Sequence, residues 1–358
     1  MRAVVLRAPG ELEMIDLPKP RPKEDEVVIR VRAVGICGSD IRYYLGENPW
    51  ALHTLGLNIR EEKAFILGHE VSGDIVEVGS RVDVYRVSTR VGVIAFKGCG
   101  KCYYCKRGLP NLCAETLHIG HDGRWKGVEY PPGGYADFMQ VWSDKVHPIP
   151  DHVSYEEATQ LDGLAVAVHA NERASVSPDD TVVVIGCGAI GLMLMQVAKA
   201  RGAGRVICVD TWDVPLRLAE ALGADHATNP KETSDVPEEL MKLTGGLGAN
   251  VVFDTVGAEE TVRTGLRSLA RLGRYVSLAV TTTKVELALT DIGGEKTITC
   301  SANNLYEDYP AAVRLLASGK VKVRPFITHT MKLEEYKKAF EMLLNKEQYG
   351  AVKVVLIP

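Results

Sequence analysis

The stretch T181-V182-V183-V184-I185-G186-C187-G188-A189-I190-G191 constrains the fold of this chain more than any other. A short apolar run leads directly into glycines spaced G-x-G-x-x-G, and AIGLMLMQVAKARGA continues with helical composition. RVICVD (205–210) is a second buried-strand pattern, and VPLRLAEALGA a second helix. NVVFDTVG, RYVSLAV and KTITCSA read as three more strands, with helical sequence between the first two. Strands separated by helical patterns imply βαβ units and a parallel sheet. In that setting Gly186, Gly188, Ala189, Ile190 and Gly191 read as a dinucleotide-binding turn. Its glycines permit a tight turn and close approach of a pyrophosphate to backbone N–H groups at a helix N-terminus. The next strand ends at Asp210, nineteen residues past Gly191. A carboxylate there accepts hydrogen bonds from both adenosine ribose hydroxyls and repels a 2′-phosphate, so NAD is expected over NADP. The alternative for Asp210 is a solvated residue at a strand end.

The N-terminal part has a different texture. MRAVVL and EVVIRVRAVGICGSD alternate as strands do, and the Pro-rich PKPRPKEDE between them is a turn. Residues 46–67, GENPWALHTLGLNIREEKAFIL, read as an irregular stretch. It is expected to form a loop near the active site, where substrate choice can reside, or a plain surface excursion. Residues 68–98 read as strands and turns, and 131–153 as a strand with a Pro-bounded exit. After Asn304 come two helices, DYPAAVRLLASGK and KLEEYKKAFEMLLN, and a last strand, AVKVVLI.

The chain has 358 residues, enough for two domains with ample core, and a formal net charge of −4, which argues against broad binding to nucleic acid or anionic membranes. No apolar run approaches the length of a membrane span. The opening MRAVVLRAPGELEMI has no apolar core of signal-peptide length, so the cytoplasm is the expected compartment.

Eight cysteines are present, four of them as C99-x2-C102-x2-C105-x7-C113. In a long chain without a signal segment, metal is a better reading than a disulfide framework. Four thiolates at these spacings can wrap one tetrahedral zinc with no room for substrate, a structural site. An iron–sulfur cluster is the rival. Cys187, Cys208 and Cys300 lie in the glycine turn or in apolar strands and read as small buried hydrophobes.

Cys37 and, thirty-two residues later, His69 supply the thiolate and imidazole that zinc favours. Their surroundings, GICGSD (35–40) and GHEVSGDIVEVGSRV (68–82), resemble the first-ligand segment and the GHExxGxxxxxGxxV signature of the zinc-containing medium-chain alcohol and polyol dehydrogenases. The spacing of Cys99, Cys102, Cys105 and Cys113 resembles the structural-zinc lobe of the same family. The resemblance covers nearly the whole chain, three motifs in the family's order. It implies an α/β chain with a Rossmann doubly wound parallel-sheet coenzyme domain, residues 164–304. A β-rich, GroES-like catalytic domain with a structural zinc lobe is implied over residues 1–163 and 305–358. It also implies two zincs, one catalytic and one structural, a small-molecule substrate bound between the domains, and a homodimer or homotetramer.

Residue by residue, the resemblance makes Cys37 and His69 zinc ligands. A second ligand cysteine, as in alcohol dehydrogenases, is missing before the coenzyme domain. The matching stretch, L161-D162-G163-L164-A165-V166-A167-V168-H169-A170, resembles the E-P-L-x-V-x-x-H-A segment of polyol dehydrogenases, with Asp162 at the Glu position. Asp162 reaches zinc directly or through the bound water, or else caps a helix. Glu70 is the other candidate oxygen ligand, expected to join when substrate displaces water. Ser39 matches the hydroxyl that takes the alcohol proton. Arg42 stands where a relay histidine is often found, and arginine stays protonated. The relay therefore exits elsewhere, or Arg42 binds an anionic or polyhydroxylated substrate. Tyr43 matches a substrate-side aromatic, with wall packing as the alternative. Pro215 stands where NAD-dependent relatives often carry Arg. The implied reaction is reversible hydride transfer between a secondary alcohol of a polyol, cyclitol or sugar and NAD, with zinc as Lewis acid on the substrate oxygen. An L-threonine 3-dehydrogenase-like amino-alcohol dehydrogenase is the near alternative, and a non-catalytic NAD(P)H-binding relative the far one.

Overall fold

The computed structural model describes residues 1–358 apart from Glu62 and Ser234. The chain divides into two compact units, one comprising Met1–Asp162, Leu305–Ala317 and Phe326–Pro358, the other Gly163–Asn304 and Ser318–Pro325.

The first unit is β-rich. Its strands are β1 (Arg2–Ala8), β2 (Glu11–Asp16), β3 (Glu26–Gly35), β4 (Phe65–Ile66), β5 (Glu70–Val78), β6 (Arg90–Val93), β7 (Phe96–Lys97), β8 (Leu117–His118), β9 (Phe138–Trp142) and β10 (Val146–Pro148). Two C-terminal strands, β17 (Ile327–Lys332) and β18 (Lys353–Ile357), complete it. The main sheet runs β10-β6-β5-β3-β18-β17, with β9 also paired to β3. A small sheet, β2-β1-β4, and a β7–β8 pair flank it. Strand β3 is central: it pairs antiparallel with β5, β9 and β18. It reads EVVIRVRAVG, and its β-branched side chains are mostly buried, as a strand covered on both faces requires. Val27, Ile29, Val31, Ile75, Met139 and Phe340 meet in this unit's core.

The second unit is a six-stranded parallel sheet in the order β13-β12-β11-β14-β15-β16. Its strands are β11 (Thr181–Ile185), β12 (Arg205–Val209), β13 (His226–Thr228), β14 (Ala249–Asp254), β15 (Leu269–Ser277) and β16 (Thr297–Cys300). The order reverses between β12 and β14, on either side of β11, which is where such sheets bind nucleotides. Within it Val183, Ile185, Ile207, Val252, Leu266 and Tyr275 are buried together.

Three elements escape a reading by periodicity: β13 and β17, whose HAT and ITHTMK are too polar, and the helix Val236–Leu243. Cys300 departs from its expected burial: β16 is the sheet edge, and Cys300 is exposed beside Ile298. Cys187 and Cys208 are buried, as expected.

The stretch 46–67 is also more regular than its sequence suggests, with Glu62 outside the described residues. It carries a seven-residue helix, Pro49–Leu55. Asn48 caps its N-terminus, Pro49 opens it and Gly56 ends it in the left-handed region, φ +71°. Asn48 does more than cap. Its Oδ1 accepts from Ala51 N and from Tyr43 Oη, and its Nδ2 donates to Ile59 O and Glu61 Oε1. Glu61 Oε2 in turn accepts from Gly123 N. One buried amide thus ties both ends of the excursion to Tyr43. Asn48→Ala removes a cap and leaves buried partners unpaired, at a cost of about 1–3 kcal/mol. The expected result is faster amide hydrogen exchange across 47–61, with the exchange of β3 unchanged.

Candidate functional site

The registry of β3 with β5 assembles the first site. Gly35, the last residue of β3, lies opposite Glu70, the first of β5. Cys37 therefore follows β3 at the same level at which His69 precedes β5. Gly68 makes the turn before His69 at φ +93°, and a Cβ there would stand 2.4 Å from the Tyr135 ring. At Gly35 a Cβ would stand 2.1 Å from Glu70 Oε2, so only glycine leaves room for that carboxylate. Donor atoms of Cys37, His69 and Glu70 all lie within 4.8 Å of one another. Thiolate, imidazole and carboxylate at that separation fit zinc. Asp162, in the first turn of the helix Leu161–Arg173, puts Oδ2 4.0 Å from His69 Nε2. Burial pushes the Asp162 carboxyl up to about 6, with His69 pulling down and Glu70 pushing up. A bound cation reverses that balance and favours the carboxylate.

Glu70 is held by a partner that sequence reading did not find. Lys353, the first residue of β18, donates from Nζ to both Glu70 oxygens at 2.7 Å and to Ile36 O at 3.2 Å. Both side chains are buried. Burial alone disfavours the ammonium, but Glu70 and Cys37 outweigh it and hold Lys353 above its ordinary range.

Asp40 is the second residue missed. It is fully buried, and its Oδ2 accepts from Cys37 N at 2.8 Å and Tyr135 Oη at 2.9 Å. Its Oδ1 stands 3.3 Å from His69 Nδ1, close but not aligned as a hydrogen bond. Neither atom has another partner among the described residues. The signal was present in the sequence: Asp at the third helical position after Cys37 closes a capping box on the helix Gly38–Tyr44. That helix also carries Ser39, half-buried, and Tyr43, buried and stacked on His121 at 5.1 Å between ring centroids. Arg42 is committed locally, its Nε donating to Glu47 Oε2 at 2.7 Å.

The wall beside His69 holds two further residues to which sequence reading gave no role. The His121 ring meets His69 edge-on at 5.0 Å, and His118 lies 4.6 Å from His121. Trp50, from the helix Pro49–Leu55, packs against His118 at 5.7 Å. Burial keeps both imidazoles uncharged, pushing His118 down to about 3 and His121 well below its ordinary range.

Cys99, Cys102, Cys105 and Cys113 form a separate cluster, their sulfurs within 4.8 Å of one another and none in a disulfide. Cys99 N points at Cys113 Sγ and Cys105 N at Cys102 Sγ, each at 3.4 Å. Backbone N–H groups aimed at sulfur favour thiolates, and four thiolates suit tetrahedral zinc.

In the second unit, Gly186 takes φ +87°, and a Cβ there would lie 2.2 Å from Thr255 Oγ1. At Gly191 a Cβ would lie 2.0 Å from Gly186 O, whereas at Gly188 it would meet nothing within 4 Å. The first and third glycines serve packing. The second opens space at the N-terminus of the helix Ala189–Ala200, on which Ala189 and Ile190 also lie. Asp210 Oδ2 accepts from Cys187 N at 2.7 Å and Oδ1 from Trp212 N at 2.9 Å, which orients the carboxylate at the turn.

Residues 23–151 match the alcohol dehydrogenase GroES-like domain, and residues 189–318 match the zinc-binding dehydrogenase domain. A sorbitol dehydrogenase of Bacillus subtilis is 34% identical over 361 residues, covering 100% of this chain and 97% of the relative. The chain belongs to the zinc-containing medium-chain alcohol and polyol dehydrogenases. A D-arabitol-phosphate dehydrogenase of Enterococcus avium is 32% identical over 99% of this chain and 97% of its own. An L-threonine 3-dehydrogenase of Pyrococcus horikoshii is 34% identical over 96% and 95%. Among solved structures, an Escherichia coli alcohol dehydrogenase with NADH superposes with TM-score 0.88 at 28% identity, covering 100% of this chain and 99% of that one. A Sinorhizobium meliloti zinc-binding dehydrogenase bound to NADP gives TM-score 0.88 at 27%, with the same coverage.

Asp40 is the carboxylate behind His69. Asp40→Asn is expected to weaken zinc retention about 10–100-fold, since such partners orient the ligand and raise its basicity. Competition with a chromophoric zinc chelator reads this directly.

Proposed function

We propose that this dehydrogenase reversibly oxidises a secondary alcohol of a polyol, cyclitol or sugar with NAD as hydride acceptor. The observation that carries the reading is the Cys37–His69–Glu70 cluster with Asp162 at its edge. In this reading Cys37, His69 and Asp162 hold the catalytic zinc, and Cys99, Cys102, Cys105 and Cys113 hold a structural one. Bound zinc supplies Lewis-acid polarisation of the alcohol oxygen. Ser39 receives the alcohol proton, two residues from the thiolate. Arg42, engaged by Glu47, leaves the onward path to water. Tyr43 forms the substrate-side wall. Glu70, paired with Lys353, is positioned to exchange into the metal shell.

Gly186, Gly188, Ala189, Ile190 and Gly191 take the pyrophosphate, and Asp210 takes the adenosine ribose, excluding a 2′-phosphate by charge. The neighbours that bind NADH and NADP leave this choice to Asp210 itself. The partners are a small-molecule substrate and a second copy of the chain, with the exposed edge strand β16 as the place for that contact, giving a dimer or tetramer. The cytoplasm as compartment is part of this proposal; as a separate matter, the described residues form no helix long and apolar enough to cross a membrane. Threonine oxidation is the second reading, since threonine dehydrogenases match at similar identity. The polyol-type segment around Asp162 favours the first.

Three measurements test this. Elemental analysis should give two zincs per chain, one lost in His69→Ala with turnover abolished, and the other lost in Cys102→Ser with a lowered melting temperature. A screen of polyols, cyclitols, sugars and threonine, read by NADH absorbance, should show polyol turnover above threonine turnover. Asp210→Ala should narrow the preference for NAD over NADP, by about 10-fold for one or two lost charge-assisted contacts. A wild-type preference for NADP would overturn the cofactor assignment.

A further inference from the structure

We infer that Tyr306 is a positioning residue for the metal site of the four-cysteine lobe: its hydroxyl holds the Gly98 peptide, which packs on Cys105 and leads into Cys99. The inference rests on the reading of Cys99, Cys102, Cys105 and Cys113 as a zinc site. Their sulfurs lie within 4.8 Å of one another and two backbone N–H groups point at them, so the donor set fits that metal.

The lobe has little else to hold it. None of residues 98–109 is buried. Its base is the β7–β8 pair, which joins only Phe96 to His118 and Lys97 to Leu117. So short a two-stranded ladder is weak on its own. Gly98 follows β7 directly and is closely packed: a Cβ there would stand 2.9 Å from Cys105 Sγ and 3.0 Å from Pro110 Cβ. The next N–H along the chain, that of Cys99, is aimed at Cys113 Sγ. A shift of the Gly98 peptide therefore disturbs contacts to two of the four sulfurs.

Tyr306 fixes that peptide from outside the lobe. Gly98 N donates to Tyr306 Oη at 2.9 Å, across 208 residues of sequence. The ring is itself held in place. It packs on Phe96 at 5.2 Å between centroids, and Lys145 Nζ stands 3.5 Å from its centroid. Lys145 is buried and donates to Asp144 Oδ2 at 3.0 Å, while Asp144 Oδ1 accepts from Lys97 Nζ at 3.2 Å. The contacts close a circuit from Lys97 through Asp144, Lys145 and Tyr306 back to Gly98. Packing alone would need only the ring; the hydroxyl is what serves Gly98. Partners that hold a ligand's surroundings in this way act on metal retention.

The test reads zinc release to a chromophoric chelator in two zinc-loaded backgrounds. His69→Ala keeps only the lobe's zinc, and Cys102→Ser only the other. Adding Tyr306→Phe to His69→Ala should speed release about tenfold or more, the scale of losing one outer partner. Adding it to Cys102→Ser should leave release unchanged. In cobalt-loaded His69→Ala the same change should shift the thiolate-to-cobalt absorption bands, a signature that loosened packing elsewhere would not move. Unchanged release in the first background overturns the inference, as does an unshifted cobalt spectrum. Equal acceleration in both backgrounds also overturns it, since that marks general loosening of the fold. If Tyr306→Phe does not fold, wild type carries the test through amide hydrogen exchange. The Gly98 amide should then exchange slowly in zinc-loaded enzyme, and exchange as fast as that of the exposed Gly100 overturns the inference. A His69→Ala enzyme without zinc sinks the four-thiol reading itself. Zinc held there and released at a rate indifferent to Tyr306 sinks only the role of Tyr306.

Discussion

Everything at the Cys37–His69–Glu70 cluster hangs on the pairing of Gly35 with Glu70 across β3 and β5. A slip of one residue would turn each side chain of β5 to the opposite face, carrying Glu70 away from Lys353. The register is secured by close contacts that exclude side chains. At Gly73, for example, a Cβ would lie 2.2 Å from Arg30 O. The third strand, β18, then delivers Lys353 to Glu70. Burying an ion pair is favourable only when geometry and additional hydrogen bonds offset desolvation. Here two 2.7 Å contacts and a third to Ile36 O meet that condition. The last strand of the chain is thereby locked to the loop that carries Cys37.

The fold class was legible because both halves obey one-dimensional rules. TVVVIG followed by G-x-G-x-x-G specifies a strand, a turn and a helix within eleven residues, and the structure forms each of them. The cysteine spacing likewise brought four thiols together, since these residues lie close along the chain. What escaped was whatever depended on long-range partners or on short polar elements. Lys353 lies 283 residues from Glu70, and no local pattern announces the pair. His118 and His121 sit in TLHIGHDGRW, which has no motif spacing. Their place beside His69 becomes visible only in the fold, where Trp50 packs on His118 and Tyr43 on His121. The helix Pro49–Leu55 is a different case: Asn48, Pro49 and Gly56 were a complete set of start and stop signals in a stretch too short for periodicity to register.

The carboxylates gathered around His69 have an electrostatic consequence that Lys353 helps explain. Cys37, Asp162, Glu70 and Asp40 place up to four anionic groups around one histidine. Two of them, Glu70 and Asp40, are fully buried, and Asp162 nearly so. Burial is the main cause of the upward shift of Asp162, and the like charge of Glu70 adds to it. A divalent cation relieves that repulsion, and Lys353 neutralises one carboxylate independently of the metal. Asp40 is accommodated differently, by the neutral donors Cys37 N and Tyr135 Oη, which add no charge to the pocket. The site thus separates its carboxylates by environment: Asp40 hydrogen-bonded behind His69, Glu70 salt-bridged to Lys353, and Asp162 at the edge of the Cys37–His69–Glu70 cluster, where burial and a neighbouring charge raise its proton affinity.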